Sequence, residues 1–348
     1  MLFLHYLCVS SIKTLVMKIG SQNIWIHAIR GITAMVSLYL VFQIVSAFTN
    51  ESARELKEGV PSKYSVYAVE MPDKMDFAGE VVQTQYFDVY EAIDREFLNT
   101  MYGQANLLLA LKRANRYFPV VEPILKAEGI PDDFKYLMVI ESMMLNATSS
   151  AGAKGFWQFM ERTAGSYNLE INDEVDERYH LEKATLAACK FLNWVYSRTQ
   201  SWTITAAAYN MGRAGVINQL ARQRTDDYWE LWLNNETSRY VPKIIAMKYI
   251  LQKPETYGFH FKKHQLYAPW PVREIEVSTS IASLPDWAIE QGMSFKMLKY
   301  LNPWLKTRKL SNKKGKTYVI KVFEKGYREI HKNAKAFQDD PTENTADE

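Results

Sequence analysis

From Tyr86 to Leu251 apolar residues recur at steps of three and four, and strand-like alternation is scarce, so this stretch predicts a helical body. Residues 104–128 predict a helix interrupted at Pro119 and Pro123, because proline lacks the backbone donor a helix interior needs. Gly129-Ile130-Pro131-Asp132-Asp133 closes that helix and opens the next, with acidic residues where the helix dipole is positive. Residues 182–198 and 202–222 predict two further helices, the first rich in Ala and suited to close packing. Pro242 fits the first turn of a helix running to Leu251. Beyond Pro254 the texture changes. Short extended pieces at 273–277 and 317–322 bracket two helix-like stretches, which predicts a small α+β module. The fold class read from the pattern is mainly α, followed by this module.

The chain ends read differently. Residues 1–50 contain no Asp or Glu, and Lys13, Lys18 and Arg30 precede an uncharged run from Gly31 to Phe48. Positive charges before an apolar run of that length predict a signal peptide or membrane anchor, with Val45-Ser46-Ala47 as a small-residue cleavage site. The body is then exported, and periplasmic or attached to the inner membrane through residues 31–48. Residues 51–85 mix charge with Pro61, Pro72 and Gly79 and read as a linker. The organisation is an export segment at 1–50, a linker at 51–85, a helical domain at 86–255, the small module at 256–335 and a polar, disordered tail at 336–348.

Composition narrows the class. The chain has 348 residues, 47% hydrophobic and 23% charged, enough to bury about two cores and unlike a disordered protein. A net charge of +3 argues against a nucleic-acid binder. The charge is uneven: residues 260–335 hold 16 Lys/Arg against 6 Asp/Glu, so the rest of the chain is mildly acidic. A basic face of this kind suits an anionic polymer or membrane surface, or it is a solvated or packing face. Cys8 and Cys189 make neither a disulfide framework nor a zinc site, and Cys189 lies in a helical pattern as a small buried residue. The six His form no HExxH pattern, and no metal or organic cofactor is implied.

One carboxylate sits where a helix should be dry. Phe134, Leu137, Met138, Glu141, Met144 and Leu145 fall at helical steps, which puts Glu141 on the apolar stripe. Desolvation favours the neutral carboxyl and raises its pKa, which suits a general acid. A lone glutamate at a stripe edge is more often paired with a nearby Lys or Arg. The surrounding text changes that balance. Small polar residues from Asn146 to Ala153 follow, then Gly155-Phe156-Trp157-Gln158, then Ala208-Tyr209-Asn210, then Tyr240-Val241-Pro242-Lys243.

In that order and at that spacing, the four segments resemble the motifs of Slt-type soluble lytic transglycosylases, glycoside hydrolase family 23. Those motifs are Glu-Ser, Gly-Leu-Met-Gln, Ala-Tyr-Asn and a late Tyr. The resemblance covers roughly residues 105–255, and the Tyr-Val-Pro-Lys context with a C-terminal appendage is similar to the membrane-bound transglycosylase D subgroup. It implies a lysozyme-like (goose-type/Slt) helical catalytic domain acting on peptidoglycan glycan strands. By resemblance Glu141 is the single catalytic acid and base, and the product is a 1,6-anhydro-muramoyl sugar. Ser150 matches a serine that orients the acid or the substrate. Gln158 and Asn210 match amides that bind acetamido groups, and Tyr209 and Tyr240 match phenols beside the acid. Phe156-Trp157 departs from Leu-Met, and Trp157 is expected to offer a stacking plate to the sugar. The acidic run 173–177 reads as a solvated, helix-capping loop rather than a second catalytic carboxylate.

Residues 272–322 resemble a LysM peptidoglycan-binding module. The matching pieces are Ser283-Leu284-Pro285-Asp286-Trp287, Leu301-Asn302-Pro303 and Gly315-Lys316-Thr317-Tyr318-Val319-Ile320. The resemblance implies a βααβ fold. Two other functions remain open from sequence: a lysozyme-type muramidase of the same fold, and a non-catalytic wall-binding protein.

Overall fold

The computed structural model describes residue 30 and residues 33–43 and 68–326. The chain divides into two units, Met1–Tyr67 and Ala68–Glu348. In the first, residues 33–43 are helical and exposed; the cleavage site, the linker up to residue 67 and the tail at 336–348 lie outside the described residues. No helix among the described residues is long and apolar enough to cross a membrane.

The second unit is mainly helical. Its helices are α1 (Phe87–Tyr102), α2 (Gln104–Ala127), α3 (Phe134–Ser142), α4 (Glu161–Ser166), α5 (Leu181–Thr199), α6 (Trp202–Met211), α7 (Arg213–Gln223) and α8 (Asn235–Gln252). Helix α8 is the centre. Val241, Ile244, Ile245, Ala246, Met247 and Ile250 are all buried, so it is apolar nearly all round and packs against α1, α3 and α6. Ala206, Ala207 and Ala208 let α6 lie close to α5 and α8.

The prolines act differently from their sequence reading. Helix α2 runs unbroken through Pro119 and Pro123, which stand four apart on one exposed face, where water can satisfy the carbonyls they leave unbonded. Pro242 lies in the middle of α8, not in its first turn, because Asn234 opens that helix by accepting from Thr237 N at 2.8 Å. The Ser238 carbonyl that Pro242 cannot serve is taken by Tyr228 Oη at 3.0 Å. The single helix expected over 202–222 is two, because Gly212 at φ +84° and ψ 151° turns the chain between α6 and α7.

The region read as linker contains a hairpin. Strands β1 (Met75–Phe77) and β2 (Glu80–Val82) pair antiparallel around Ala78 and Gly79, both at positive φ as a tight primed turn requires. Met75, Phe77 and Val82 join the helical core. Lys248 on α8 bonds both Asp76 and Asp133, and Glu80 accepts from Ser201 Oγ and Thr203 N at the start of α6.

The C-terminal module is β3 (Val272–Val277), α9 (Leu284–Glu290), α10 (Phe295–Leu301) and β4 (Tyr318–Phe323), with β3 and β4 antiparallel from Val272↔Phe323 to Val277↔Tyr318. Leu284, Ala288, Leu298, Leu305, Ile320 and Val322 form its own core. Buried Asn302 clamps helix to strand: its amide donates to Lys321 O at 2.6 Å and accepts from Lys321 N at 2.9 Å. The module docks on the loop before α5. Asp176 N donates to Trp304 O at 2.9 Å and Lys306 N to Glu174 O at 2.8 Å. Lys316 pairs with Glu170 at 2.9 Å, and Lys321 pairs with Glu182. Part of the basic surplus is therefore met by the chain's own acidic loop.

Candidate active site

Helix α3 ends abruptly after Glu141-Ser142. Met143 and Met144 both take left-handed backbone (φ 49° and 54°), so the chain reverses and Leu145 is exposed rather than on the helix stripe. Glu141 thus stands in the last helical turn, where the dipole is negative and an ionised carboxyl is least welcome. Arg113 Nη1 holds the turn by donating to Met143 O at 3.1 Å. Ser142 Oγ donates to Phe156 O at 2.8 Å, which ties the acid's helix to the Gly155–Gln158 turn.

That turn depends on Gly155. Its φ is +81°, and a Cβ there would stand 1.8 Å from the Arg178 carbonyl oxygen. Arg178 is itself buried, bonded to Asp176 at 2.8 and 2.9 Å, and reaches the Gly152 and Phe159 carbonyls. The acidic run is therefore not a solvated loop throughout. Asp176 and Glu177 are buried, because Arg178 and Lys183 neutralise them and Asp176 caps the following turn. Sequence reasoning missed this brace; Arg178 beside the acidic run was the available signal.

Helix α8 contacts the carboxyl and α6 stands beside it. Tyr240 on α8 donates to Glu141 Oε1. Arg239, next to it, is fixed on buried Glu96 of α1 at 2.6 Å. Tyr209 on α6 donates to the Trp157 carbonyl at 2.8 Å, and its ring packs against Phe191 and Phe159. Burial pushes the Glu141 carboxyl up to about 7; the Tyr240 hydrogen bond opposes this, the Glu236 carboxylate adds to it, and Lys243 opposes it. Burial and the neighbouring Glu141 hold the Tyr240 and Tyr209 phenols neutral, well above their ordinary range. The arrangement is a carboxyl protonated near neutral pH with a phenol bonded to one oxygen, able to give a proton and to take one back.

Residues 122–232 match the family described as the transglycosylase SLT domain, and residues 273–326 match the soluble lytic transglycosylase C-terminal LysM-like domain. Residues 122–232 are an SLT domain. Membrane-bound lytic murein transglycosylase D of Escherichia coli K12 is 29% identical over 214 residues, covering 60% of this chain and 46% of that protein. The same protein from Escherichia coli O6:H1 matches equally. The chain thus spans about half the length of the curated relatives it matches. An inactive mutant of the lytic transglycosylase Slt from Pseudomonas aeruginosa aligns with a TM-score of 0.34 and 19% identity, over 44% of this chain and 26% of that one.

Around Glu141 the sequence-selected residues separate. Glu141 and Tyr240 touch, and Glu141 lies near enough to Tyr209 to raise its phenol's pKa. Asn210 is held from both sides: Thr237 Oγ donates to its oxygen at 2.8 Å and its nitrogen donates to Glu236 at 2.9 Å. Gln158 sits at φ +49°, and its nitrogen is committed to the Ala147 and Gly155 carbonyls, which leaves its amide oxygen to accept from a ligand. Ser150 is exposed on the turn after α3. Trp157 requires a correction. It is fully buried and donates to Thr185 Oγ at 2.9 Å, so it packs the core and offers the sugar no stacking face. Its contribution is its backbone carbonyl, which anchors Tyr209.

Proposed function

We propose that the protein is a peptidoglycan lytic transglycosylase with Glu141 as its single acid and base. The observation that supports this most is a half-buried glutamate of an SLT domain, held near pKa 7 and hydrogen-bonded by Tyr240. Glu141 gives its proton to the oxygen bridging N-acetylmuramic acid and N-acetylglucosamine as the C1–O bond breaks. The acetamido oxygen of the muramoyl sugar takes the vacated C1. The sugar's own C6 hydroxyl then displaces it, returning its proton to the Glu141 carboxylate and closing a 1,6-anhydro ring. An internal nucleophile needs no recruited water, which removes the role of a second carboxylate. Tyr240 supports the carboxylate between the two steps, and Gln158 and Asn210 face the acetamido groups. Ser150 bounds the strand's path beyond the acid. The chain acts outside the cytoplasm, carried or anchored by the segment at 31–48, and its LysM-like module holds the wall.

A second reading is hydrolysis by water, favoured by one feature: Glu236 is exposed and close enough to act on Glu141 electrostatically. Mass spectrometry of digested wall separates the two. Anhydro-muramoyl ends support transglycosylation and reducing ends support hydrolysis. Glu141→Gln abolishes lysis while sedimentation with insoluble wall persists; lysis by that variant removes Glu141 as the acid.

A further inference from the structure

A cavity of about 670 Å³ opens between the SLT domain and the LysM-like module. Glu141 does not line it. The turn that follows Glu141 does, through Met144, Leu145 and Asn146, and so does Phe156 of the Gly155–Gln158 turn. The cavity is therefore a neighbour of the proposed cleavage site and shares two of its walls.

Its chemistry is unlike a gap left by imperfect packing. Arg113, Arg116, Lys299 and Lys321 stand on its walls against one carboxylate, Glu182. Lys321 and Glu182 neutralise each other. Arg116 is spread over the Trp270 ring at 4.4 Å and donates to Ala268 O at 3.0 Å. Lys299 is partly buried on α10 and has no carboxylate partner among the described residues; desolvation alone lowers its pKa. A desolvated ammonium with no counter-ion is what an incoming carboxylate would relieve. The side of the cavity formed by the turn after Glu141 asks for a different group. Asn146 spends its nitrogen on Tyr179 O at 3.0 Å, while its Oδ1 is buried with no partner and can only accept. A ligand that satisfies both walls carries carboxylates and N–H donors together, with apolar stretches for Tyr117, Trp270 and Trp304. A simple anion offers no donor, and a neutral glycan offers no charge.

We infer that this junction cavity is a binding site for a carboxylate-bearing peptide, the stem peptide of the strand whose sugars lie across Glu141. The identity of the peptide rests on the transglycosylase reading; the acidic-peptide chemistry does not.

The test is calorimetric titration of the full chain carrying Glu141→Gln, with two probes: a free stem tetrapeptide, and the same peptide with its carboxyl groups amidated. The free-acid peptide binds at least about tenfold more tightly than the amidated one. Lys299→Glu and Lys299→Gln, each checked for an unchanged melting temperature, weaken the acid probe by about tenfold, while Lys299→Arg keeps it within about threefold. Equal binding of the two probes, no binding of either, or indifference to both Lys299 substitutions overturns the inference. This readout does not depend on cleavage. A failure of the wall-product experiment would remove the transglycosylase reading and leave an acidic-peptide site in place, whereas a failure here leaves the transglycosylase intact.

Discussion

Replacing Glu141 by Gln should change how stability depends on pH, apart from what it does to activity. The ordinary glutamate value is 4.5, and burial raises Glu141 to about 7. Below about pH 4.5 the carboxyl is protonated in both folded and unfolded chains, and it costs the fold nothing. Between the two values the folded chain holds a proton that the unfolded chain has released. Rising pH therefore weakens the wild-type fold by about 1.4 kcal/mol per pH unit. Above about pH 7 both states are ionised and the penalty levels at about 3 kcal/mol, or about 2 where water reaching the edge of the partly buried carboxyl screens it. Glutamine keeps an acceptor for Tyr240 and never ionises, so it carries none of this slope. Urea unfolding of the two proteins side by side, from about pH 4 to about pH 8, should show the variant gaining about 2–3 kcal/mol relative to wild type as pH rises. A constant offset from altered contact with Tyr240 would leave that slope untouched. A stability difference that stays flat with pH would mean that Glu141 is not held protonated, and the acid role would fall with it.

The other expectations concern the frame around the acid. Tyr240→Phe removes a hydrogen bond that favours the ionised carboxyl, so the Glu141 pKa rises and the alkaline limb of the lysis–pH profile moves up by about one pH unit, with a lower maximum rate. Gly155→Ala places a methyl 1.8 Å from the Arg178 carbonyl at a left-handed residue, and should lower stability by about 3 kcal/mol or more and displace Gln158, read by thermal melting and residual lysis. Tyr228→Phe strips the Ser238 carbonyl beside Pro242 of its donor and should cost about 1–3 kcal/mol in urea unfolding, while Pro242→Ala in the same background recovers part of the loss by restoring the helical N–H.

What the sequence made legible was whatever local spacing controls. Periodicity is a property of neighbours, so the mainly helical body and a small α+β module could be read from it, while the βααβ order came from the LysM resemblance. What it hid was set at a distance. Pro242 sits inside α8 because Tyr228, fourteen positions earlier, serves the orphaned carbonyl. The hairpin at 75–82 has strands of three residues each, too short for an alternation signal, and its hold comes from Lys248, Tyr249 and Asp133. Two buried residues of the acidic run are dry because Arg178 and Lys183 reach them, and a run of like charges otherwise reads as wet. At the site, motif order placed Glu141 and Tyr240 in one reading, and the structure puts them in contact. Motif order did not tell which way the indole at 157 points. A tryptophan inside a sugar-enzyme motif invites stacking on ligand, yet the Thr185 hydroxyl gives its N–H a partner inside the core.

The docking of the LysM-like module on Glu170, Glu174 and Glu182 has a mechanical consequence. Gripped by backbone and side chain at once, the module cannot swing like a tether on a loose string. A polymer seized by it would be delivered to Glu141 at one angle and one offset, as stock is fed to a lathe. On the transglycosylase reading, the spacing between that grip and Glu141 is then set by the joint itself rather than by the blade.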